Sequence, residues 1–498
     1  MTEIVRRRFI QGAGGAVAGG ALVSCGGGGN AAVDGGWIDA VETAARIKQG
    51  DLTAVEAVGA AIARAEAADP QINAIVTPTF DEARAAAAAA TPGPFSGVPT
   101  FVKDLTDVAG QPTRYGSRAY ANYVADGQPP FVDKLFECGV ISLGKSSTPE
   151  FGATATTEPL LHGPTRNPWN LDHSTGGSSG GAAALVAAGV VPMAHASDGG
   201  GSIRIPASCC GLVGLKPSRG RTPAVSVSDP PPLLLSVHAV VARTMRDAAA
   251  FHAAMELGDG EGALAPTGLI ARPTQTRRKI GFFTEGLGGA TPHADVIAAV
   301  TDAASVCADL GHNVEEVAAP FSGAPSDDFL IYWAAGVADT VARWEEAAGR
   351  RAGYDDFEPL TFGLIQHYEA NKSIFERAVE RLLQYEEIYL RAFEDFDVIL
   401  SPVLATPPPP IGWLRPDLPW DTAVERVGDY VQYTQIHNIA GAPAISLPLG
   451  MSSEGLPIGA MFAGKPGDEG ALLALGFELE IARPWIARRP PLFVGDGA

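Results

Sequence analysis

Residues 176–181 read Gly-Gly-Ser-Ser-Gly-Gly, and residues 197–206 read Ser-Asp-Gly-Gly-Gly-Ser-Ile-Arg-Ile-Pro. Together the two segments hold seven glycines and four serines. Glycine permits a positive φ and lets the backbone approach other groups closely. Serine hydroxyls beside bare backbone N–H groups supply the parts needed for nucleophilic attack and for stabilising an oxyanion. The two segments therefore predict an activated serine held in a tight backbone turn.

A phosphate-binding loop is the main alternative reading of such glycines. No Gly-Lys-Ser/Thr sequence follows them, and no G-x-G-x-x-G motif opens a helix after a strand, so the residues do not support it. A plain glycine-rich turn remains open at this point.

Composition describes an acidic globular protein of 498 residues. Hydrophobic residues make up 46% and charged residues 18% of the chain, which is typical of a folded protein and not of a disordered one. The net charge of −20 gives nucleic-acid binding little electrostatic support, because a phosphate backbone needs a basic surface. We therefore expect a small-molecule substrate and no nucleic-acid partner.

The cysteines and histidines do not predict a metal site. None of the five cysteines forms a C-x-x-C pair, and no cysteine–histidine cluster has zinc spacing, so no cofactor is expected. Cys209 and Cys210 are predicted to be buried free thiols, with a vicinal disulfide as the alternative. His173 and His195 lie near the serine segments and are interpreted as packed or hydrogen-bonded residues, not as bases.

The N-terminus has the order of an export signal. Three arginines (residues 6–8) precede a short uncharged run, and that run is too short to span a membrane. Arginines followed by such a run resemble a twin-arginine signal peptide. Leu22-Val23-Ser24-Cys25 resembles a bacterial lipobox, so Cys25 is predicted to carry a lipid. We expect a signal peptide over residues 1–24, a tether over 25–36 and export to the cell envelope. A disordered N-terminus with an accidental Cys25 is the alternative.

Strand and helix patterns alternate along the rest of the chain. A buried strand is predicted over residues 97–104, a helix over 182–188 and a strand over 191–196 that leads into the three glycines. A further helix is predicted over residues 54–68, with Thr53 as its N-cap. The alternation indicates an α/β protein, with residues 37–498 forming a single large domain in which helices cover both faces of a mixed sheet.

Several motifs occur in an order that resembles the amidase signature family. The resemblance covers the chain from about residue 37 to the C-terminus and rests on these segments: Gly97-Val98-Pro99 leading to Lys103, Leu143-Gly144-Lys145, the two glycine–serine segments, Gly211-Leu212-Val213-Gly214-Leu215-Lys216-Pro217 and Gly441-Ala442-Pro443-Ala444. Within the family, Thr157-Glu158-Pro159, residues 166–171 and the end of the chain are most similar to hydrolases of 6-aminohexanoate cyclic dimers.

The resemblance implies an amidohydrolase with a Ser–cis-Ser–Lys triad and an acyl-serine intermediate. Carried over by motif, the nucleophile is Ser202, the bridging serine after a cis peptide bond is Ser178, and the base is Lys103. Ser179 is expected to be a structural neighbour. The resemblance also implies the amidase signature fold and substrates that are cyclic or linear amides, with 6-aminohexanoate oligomers and peptide amides as candidates.

The chemistry of amide hydrolysis explains why these residue types are needed. A serine hydroxyl needs a base, and lysine acts as one only when burial lowers its pKa. An ordinary ion pair between Lys103 and Asp104 is the alternative. The predicted oxyanion hole consists of the backbone N–H groups of Gly199, Gly200, Gly201 and Ser202. Asp198 and Arg204 are expected to fix this loop by hydrogen bonds.

The residues that contact the substrate are the part of the site that the sequence determines least. Candidate substrate-binding residues are Gly152, Ala153, Thr154, Tyr332 and Trp333, with core packing as the alternative for the aromatic residues. A monomer or homodimer is expected, with membrane attachment only through Cys25. Two other functions stay open: the amidase subunit of a glutamine-dependent tRNA amidotransferase, and a non-catalytic binding protein on the same scaffold.

Overall fold

The computed structural model describes residues 37–225, 232–260, 264–321, 323 and 325–496. The predicted signal peptide, tether and Cys25 lie outside the described residues. Within the described ranges, no helix combines the length and the apolar character needed to cross a membrane.

The strands of these ranges form one large mixed sheet, a three-stranded sheet and a two-stranded ladder. Their bounds are β1 (Ile75–Pro78), β2 (Pro99–Lys103), β3 (Ile141–Ser146), β4 (Arg166–Asn167), β5 (Asn170–Ser174), β6 (Met193–Asp198), β7 (Val213–Lys216), β8 (Val237–Ala242), β9 (Lys279–Phe282), β10 (Asn313–Glu316), β11 (Val398–Pro402), β12 (Ala444–Met451) and β13 (Pro457–Ala463). The large sheet has the order β10-β9-β11-β13-β12-β7-β8-β6, and the small sheet has the order β1-β3-β2. In the large sheet β9 pairs in parallel with β10 and β11, and the other pairs are antiparallel.

Helices cover the sheets. Their bounds are α1 (Ala40–Gln49), α2 (Ala54–Ile72), α3 (Phe80–Ala88), α4 (Pro130–Glu137), α5 (Gly180–Ala187), α6 (Arg204–Cys210), α7 (Met245–Met255), α8 (Ala294–Asp309), α9 (Ser326–Ala348), α10 (Pro359–Asn371), α11 (Phe375–Arg391), α12 (Trp420–Tyr430), α13 (Gln435–Ile439) and α14 (Glu469–Ala482). The predicted fold class, an α/β domain with a mixed sheet between helices, is confirmed.

Local sequence explains where these elements begin. Thr53 caps α2 as predicted: its hydroxyl accepts the N–H of Glu56, and the Glu56 carboxylate accepts the N–H of Thr53 in return. α5 follows the double serine, and all eight of its residues are buried. Because Gly181 packs against the backbone of Ser147, the residue that follows β3, a side chain at this position would collide with that backbone.

The two larger sheets meet along a line that we call the seam, formed by Thr100, Lys103, Met193 and His195. β2 is the edge strand of the small sheet, and β6 is the edge strand of the large one. Side chains join them: the Thr100 hydroxyl donates to the carbonyl of Met193 at 3.1 Å, and the N–H of Lys103 donates to Nδ1 of His195 at 3.2 Å. The seam thus places the end of β2 beside the end of β6. The Lys103 side chain at the end of β2 can therefore reach both loops that carry serines.

Candidate active site

Lys103 ends β2 and is fully buried. Its Nζ lies 2.7 Å from Oγ of Ser178 and 3.0 Å from Oγ of Ser197. Burial lowers the pKa of Lys103 to about 7, although the charge of Asp198 opposes the shift. The amine therefore contacts two hydroxyls in surroundings that favour its neutral form.

Asp104 does not form the ion pair with Lys103 that was the alternative prediction. Its carboxylate accepts the N–H of Arg114 at 3.1 and 3.2 Å. Burial raises the pKa of Asp104 to about 6, and the charges of Lys145 and Arg114 oppose that shift. The hydrogen bonds of the Lys103 side chain go to serine hydroxyls instead.

The double serine divides into two environments. The peptide bond between Gly177 and Ser178 is cis, and the Ser178 hydroxyl faces Lys103. Ser179 turns toward β6, where its hydroxyl donates to the carbonyl of Ser197 at 3.2 Å and accepts the N–H of Ser197 at 3.3 Å. Ser178 thus lies beside Lys103, while Ser179 ties the loop to the large sheet.

Asp198 organises the loop that carries Ser202. Its carboxylate accepts the N–H groups of Gly201 at 2.8 Å and Ile203 at 3.2 Å, and Arg204 donates to it twice at 2.9 Å. Burial alone would raise the pKa of Asp198, but the charge and hydrogen bonds of Arg204 hold it well below its usual range. The fully buried ion pair fixes the turn, in agreement with the loop-fixing role expected for both residues.

The N–H groups of the loop do not all face the same way. The N–H of Gly201 is engaged by Asp198. Those of Gly199, Gly200 and Ser202 donate to no other group in the described part of the chain. Of these three residues, Gly200 and Ser202 line a cavity, so their N–H groups are the ones best placed to meet a ligand oxygen.

The cavity beside Ser202 has a volume of about 250 Å³ and a mostly apolar lining. Gly152, Ala153, Thr154 and Gly177 contribute from the first half of the chain. The opposite side, which we call the wall, consists of apolar residues of α9, α10 and α12, namely Phe329, Leu330, Trp333, Leu360, Leu364, Trp420, Ala423, Val424 and Val427. The polar residues of the lining besides the serine are Thr154, Ser326, Asp327 and Gln435.

The wall directly contacts residues 199–202, which carry the predicted nucleophile Ser202 and which we call the nucleophile loop. The rings of Phe329 and Trp333 stack with centroids 5.5 Å apart. A Cβ placed on Gly199 would stand 3.0 Å from the Trp333 ring, and one on Gly200 would stand 3.0 Å from the Phe329 ring. The glycines of this loop therefore leave the space that the two aromatic rings occupy.

Of the predicted substrate-binding residues, Gly152, Ala153, Thr154 and Trp333 line the cavity. Tyr332 lies outside its lining. The Tyr332 hydroxyl donates to the carbonyl of Leu233 at 2.7 Å and accepts the N–H of Leu233 at 3.1 Å, so this side chain points toward β8 and its preceding loop.

Sequence reasoning missed most of the wall and also Gln435. The wall residues carry only the apolar spacing that any packed helix shows. Gln435 carries no motif, so no signal in the sequence could have singled it out. Within the described ranges, no three histidine, cysteine, aspartate or glutamate side chains are grouped so that they could hold a metal ion.

Comparisons with known proteins agree with this architecture. The Amidase family profile matches residues 56–473. A putative amidase, AmiC, of Mycobacterium tuberculosis is 42% identical over 465 residues, covering 92% of this chain and 97% of the relative. The 6-aminohexanoate-cyclic-dimer hydrolase of Paenarthrobacter ureafaciens is 36% identical over 482 residues, with coverage of 92% and 97%.

A solved structure of 6-aminohexanoate cyclic dimer hydrolase complexed with substrate superposes with a TM-score of 0.83 at 33% identity, over 92% of this chain and 99% of that one. A bacterial aryl acylamidase superposes with a TM-score of 0.78 at 28% identity, over 90% and 97%. Because the profile spans most of the chain and the relatives align over nearly their whole length, the chain belongs to the amidase signature family and is an amide-cleaving hydrolase.

Proposed function

We propose that this enzyme hydrolyses carboxamides by transferring the acyl group to Ser202, with Ser178 as the proton relay and Lys103 as the base. The observation that carries the proposal is the 2.7 Å contact between Lys103 Nζ and Ser178 Oγ, made by a buried amine whose pKa is lowered to about 7. A neutral amine in that position can accept a proton, which a charged ammonium cannot.

Acylation proceeds by a balanced proton relay. Ser202 Oγ bonds to the carbonyl carbon as its proton passes to Ser178, whose own proton passes to Lys103. The N–H groups of Gly200 and Ser202 stabilise the negative charge on the carbonyl oxygen, a type of contact worth about 10²–10³-fold in rate per donor. When the C–N bond breaks, Ser178 returns a proton to the leaving nitrogen and recovers one from Lys103.

Deacylation runs the relay again with water. A water molecule loses a proton to Ser178 and attacks the acyl carbon, and Ser202 leaves with a proton from the relay. The products are a carboxylic acid and an amine, and Lys103 ends the cycle neutral.

The cavity favours an uncharged, apolar substrate. Its wall is aliphatic and aromatic, and its lining has no lysine or arginine that could pair with a substrate carboxylate. Cyclic amides of 6-aminohexanoate and peptide amides both fit this description, and the first is the substrate in the name of a relative that is 36% identical. The substrate class of the proposal is therefore neutral carboxamides with an extended apolar group.

Labelling with a fluorophosphonate tests the assignment of the nucleophile. The intact protein should take up the probe, and peptide mass spectrometry should find it on Ser202. Ser202→Ala should abolish both labelling and amide hydrolysis. Ser179→Ala is the matched control, because Ser179 faces β6, and it should keep labelling. Uptake that survives in Ser202→Ala would contradict the proposal.

We also propose that the chain is exported and anchored through a lipid on Cys25. The support is the order of residues 1–32: three arginines, an uncharged run, a lipobox-like sequence and a glycine tether. Growing cells on an alkyne-bearing fatty acid should label the wild-type protein and leave Cys25→Ser unlabelled. Equal labelling of the two proteins, or none in either, would exclude the anchor.

A further inference from the structure

Thr434 is a buried residue from the second half of the chain whose hydroxyl bonds to the nucleophile loop. It immediately precedes α13, is fully buried, and lies outside the lining of the cavity. Its hydroxyl donates to the carbonyl of Gly200 at 2.6 Å. Threonine at such a position commonly caps a helix by accepting an N–H of the first turn. The Thr434 side chain makes no capping bond to α13, so its hydroxyl serves the loop and not its own helix.

Two side chains hold the peptide unit between Gly200 and Gly201. Thr434 donates to its carbonyl oxygen, and the carboxylate of Asp198 accepts its N–H at 2.8 Å. The C=O and N–H of a trans peptide point in opposite directions, so bonds at both ends oppose rotation of the peptide plane. The orientation of this peptide is therefore set jointly by the end of β6 and by the residue before α13.

The restraint matters because both residues of this peptide unit are glycines. A glycine backbone has no Cβ to limit φ and ψ, so without the two bonds the peptide would rotate at little cost. Gly201 has a φ of +139°, which disfavours any residue with a side chain. A Cβ on Gly201 would also collide with the Thr434 hydroxyl. The glycine that the turn needs is thus also the residue that lets Thr434 approach.

The two neighbouring peptides carry the N–H groups that the proposed function assigns to the oxyanion hole. The N–H of Ser202 belongs to the following peptide, whose carbonyl, that of Gly201, accepts the N–H of Ile205 at 2.7 Å. The N–H of Gly200 belongs to the preceding peptide and donates to no group in the described ranges. Its direction therefore depends on the adjoining peptide that Thr434 and Asp198 hold.

Thr434 is itself held in place by the ion pair of the loop. Arg204, which donates twice to Asp198, also donates to the carbonyl of Thr434 at 2.9 Å. All five residues of α13 are buried. The guanidinium thus joins the residue that holds the carbonyl end of the Gly200 peptide to the residue that holds its N–H end.

We infer that Thr434 is a positioning residue for amide hydrolysis, which keeps the N–H of Gly200 directed at the oxygen that becomes negatively charged. This inference rests on the proposed function. Thr434 lies outside the cavity lining, so its loss should lower kcat and leave KM nearly unchanged.

Variants that remove or restore the hydroxyl test the inference. Thr434→Val keeps the shape of the side chain, and kcat for hexanoyl 4-nitroanilide should fall about 10- to 100-fold with KM within about threefold of wild type. Thr434→Ser restores the donor and should bring kcat back to within about threefold. Thr165→Val is the matched control, because the fully buried Thr165 hydroxyl donates to a carbonyl outside the site, that of Asn73, at 2.9 Å. This control should keep kcat within about threefold.

A pair of inhibitors distinguishes positioning from a general loss of structure. With 1,1,1-trifluorodecan-2-one, Ser202 Oγ bonds to the carbonyl carbon, the C=O π electrons move to the oxygen, and the serine proton passes through Ser178 to Lys103. The alcohol 1,1,1-trifluorodecan-2-ol has the same chain and cannot form this adduct. In Thr434→Val the inhibition constant of the ketone should rise about as much as kcat/KM falls, while that of the alcohol changes less than about threefold. Equal changes for both inhibitors would overturn the inference.

The remaining outcomes also decide. Wild-type kcat in Thr434→Val, a rise in KM at constant kcat, or a loss that Thr434→Ser does not recover would each overturn the inference. If Thr434→Val does not fold, Thr434→Cys replaces it, because a thiol is a weak donor, and an unchanged kcat in that variant is the overturning result. Absence of fluorophosphonate labelling in the wild type would instead contradict the proposed function. A labelled wild type beside an unimpaired Thr434→Val would overturn this inference alone.

Discussion

The seam places Lys103 beside Ser178, the wall lines the cavity beside Ser202, and the two are built by different means. At the seam, buried polar groups have defined partners: Lys103 with two serine hydroxyls and with His195, and Thr100 with Met193. The wall is a set of apolar side chains that contact one another and the nucleophile loop through packing. Substitutions at the seam should therefore affect the chemical step, and substitutions in the wall should affect substrate binding.

The largest effect is expected at Lys103. Lys103→Met keeps a long side chain but removes the proposed base, and kcat should fall by about 10⁴–10⁶-fold, the range seen when a member of a catalytic triad is removed. Stopped assays with purified protein and quantification of the released acid would measure the loss.

Lys145→Met is the matched control for that experiment. Lys145 lies on the neighbouring strand β3, is fully buried, and has a pKa that burial lowers to about 8. Its Nζ donates to the carbonyl of Thr106 and the hydroxyl of Thr113 and contacts no serine. The folded fraction of Lys145→Met should keep kcat within about tenfold of wild type. Equal losses in both variants would show that burial of a lysine, and not its contact with Ser178, is what matters.

The pH dependence of kcat/KM should follow the neutral form of Lys103. Because burial lowers the pKa of Lys103 to about 7, the neutral fraction falls about tenfold per pH unit below that value and is nearly complete above it. Activity should rise with pH through about 7 and level off, with a loss of about 100-fold at pH 5. A profile that is flat from pH 5 to 9 would contradict the role of Lys103 as a base.

The two histidines near the seam and Asp198 titrate outside this range, whereas burial raises the pKa of Asp104 to about 6 and lowers that of Lys145 to about 8 and that of Lys216 to about 7. Burial, together with the charge of His238, holds the pKa of His195 well below its usual range, and burial lowers the pKa of His238 to about 3. Asp198 stays ionised because Arg204 holds its pKa low. The rise through pH 7 can thus be distinguished from histidine titration by its absence in the labelling profile of Lys103→Met.

A smaller effect is expected at His195, whose ring accepts a hydrogen bond from the backbone of Lys103. Since Nδ1 of His195 accepts the N–H of Lys103, its proton resides on Nε2, which donates to Nδ1 of His238 at 3.1 Å. His195→Leu removes the acceptor and should lower kcat about 10- to 100-fold with little change in KM, as a buried donor is left unpaired. His195→Gln, whose amide oxygen can accept that N–H, should recover most of the loss. A rise in KM at constant kcat would place His195 in binding and not in positioning.

The seam and the wall also differed in what the sequence could reveal. Lys103, Ser178 and Ser202 were predicted because each lies in a motif whose order along the chain is distinctive. The strand ending at Lys103 and the helix after Ser179 were placed within a few residues of the observed β2 and α5. These features depend on residues that are close together in the chain, such as the glycines of a tight turn or the apolar residues of a buried strand. They can therefore be recognised in the sequence.

The wall shows why the remaining residues of the cavity could not be predicted from the sequence. α9, α10 and α12 lie more than 100 residues beyond Ser202, and nothing in their apolar spacing says which element they pack against. Tyr332 and Trp333 are adjacent on α9, so their side chains point about 100° apart, and only one of them can face the cavity. The choice depends on how the helix is rotated against its neighbours, which is a tertiary property. Gln435 depends in the same way on the contact of Thr434 with Gly200.

Adjacent residues on α9 give the finest test of this contrast, with the smallest expected effect. Trp333→Ala removes a ring that packs on Gly199 and Phe329, and it should raise KM about 5- to 20-fold through lost apolar contact while kcat changes little. Tyr332→Phe removes only the hydroxyl that bonds the backbone of Leu233, so it should leave KM unchanged. Michaelis–Menten parameters on a neutral anilide would measure both. If Trp333→Ala lowers kcat and spares KM, the wall takes part in the chemical step, because the Trp333 ring then governs the geometry of the nucleophile loop on which it packs.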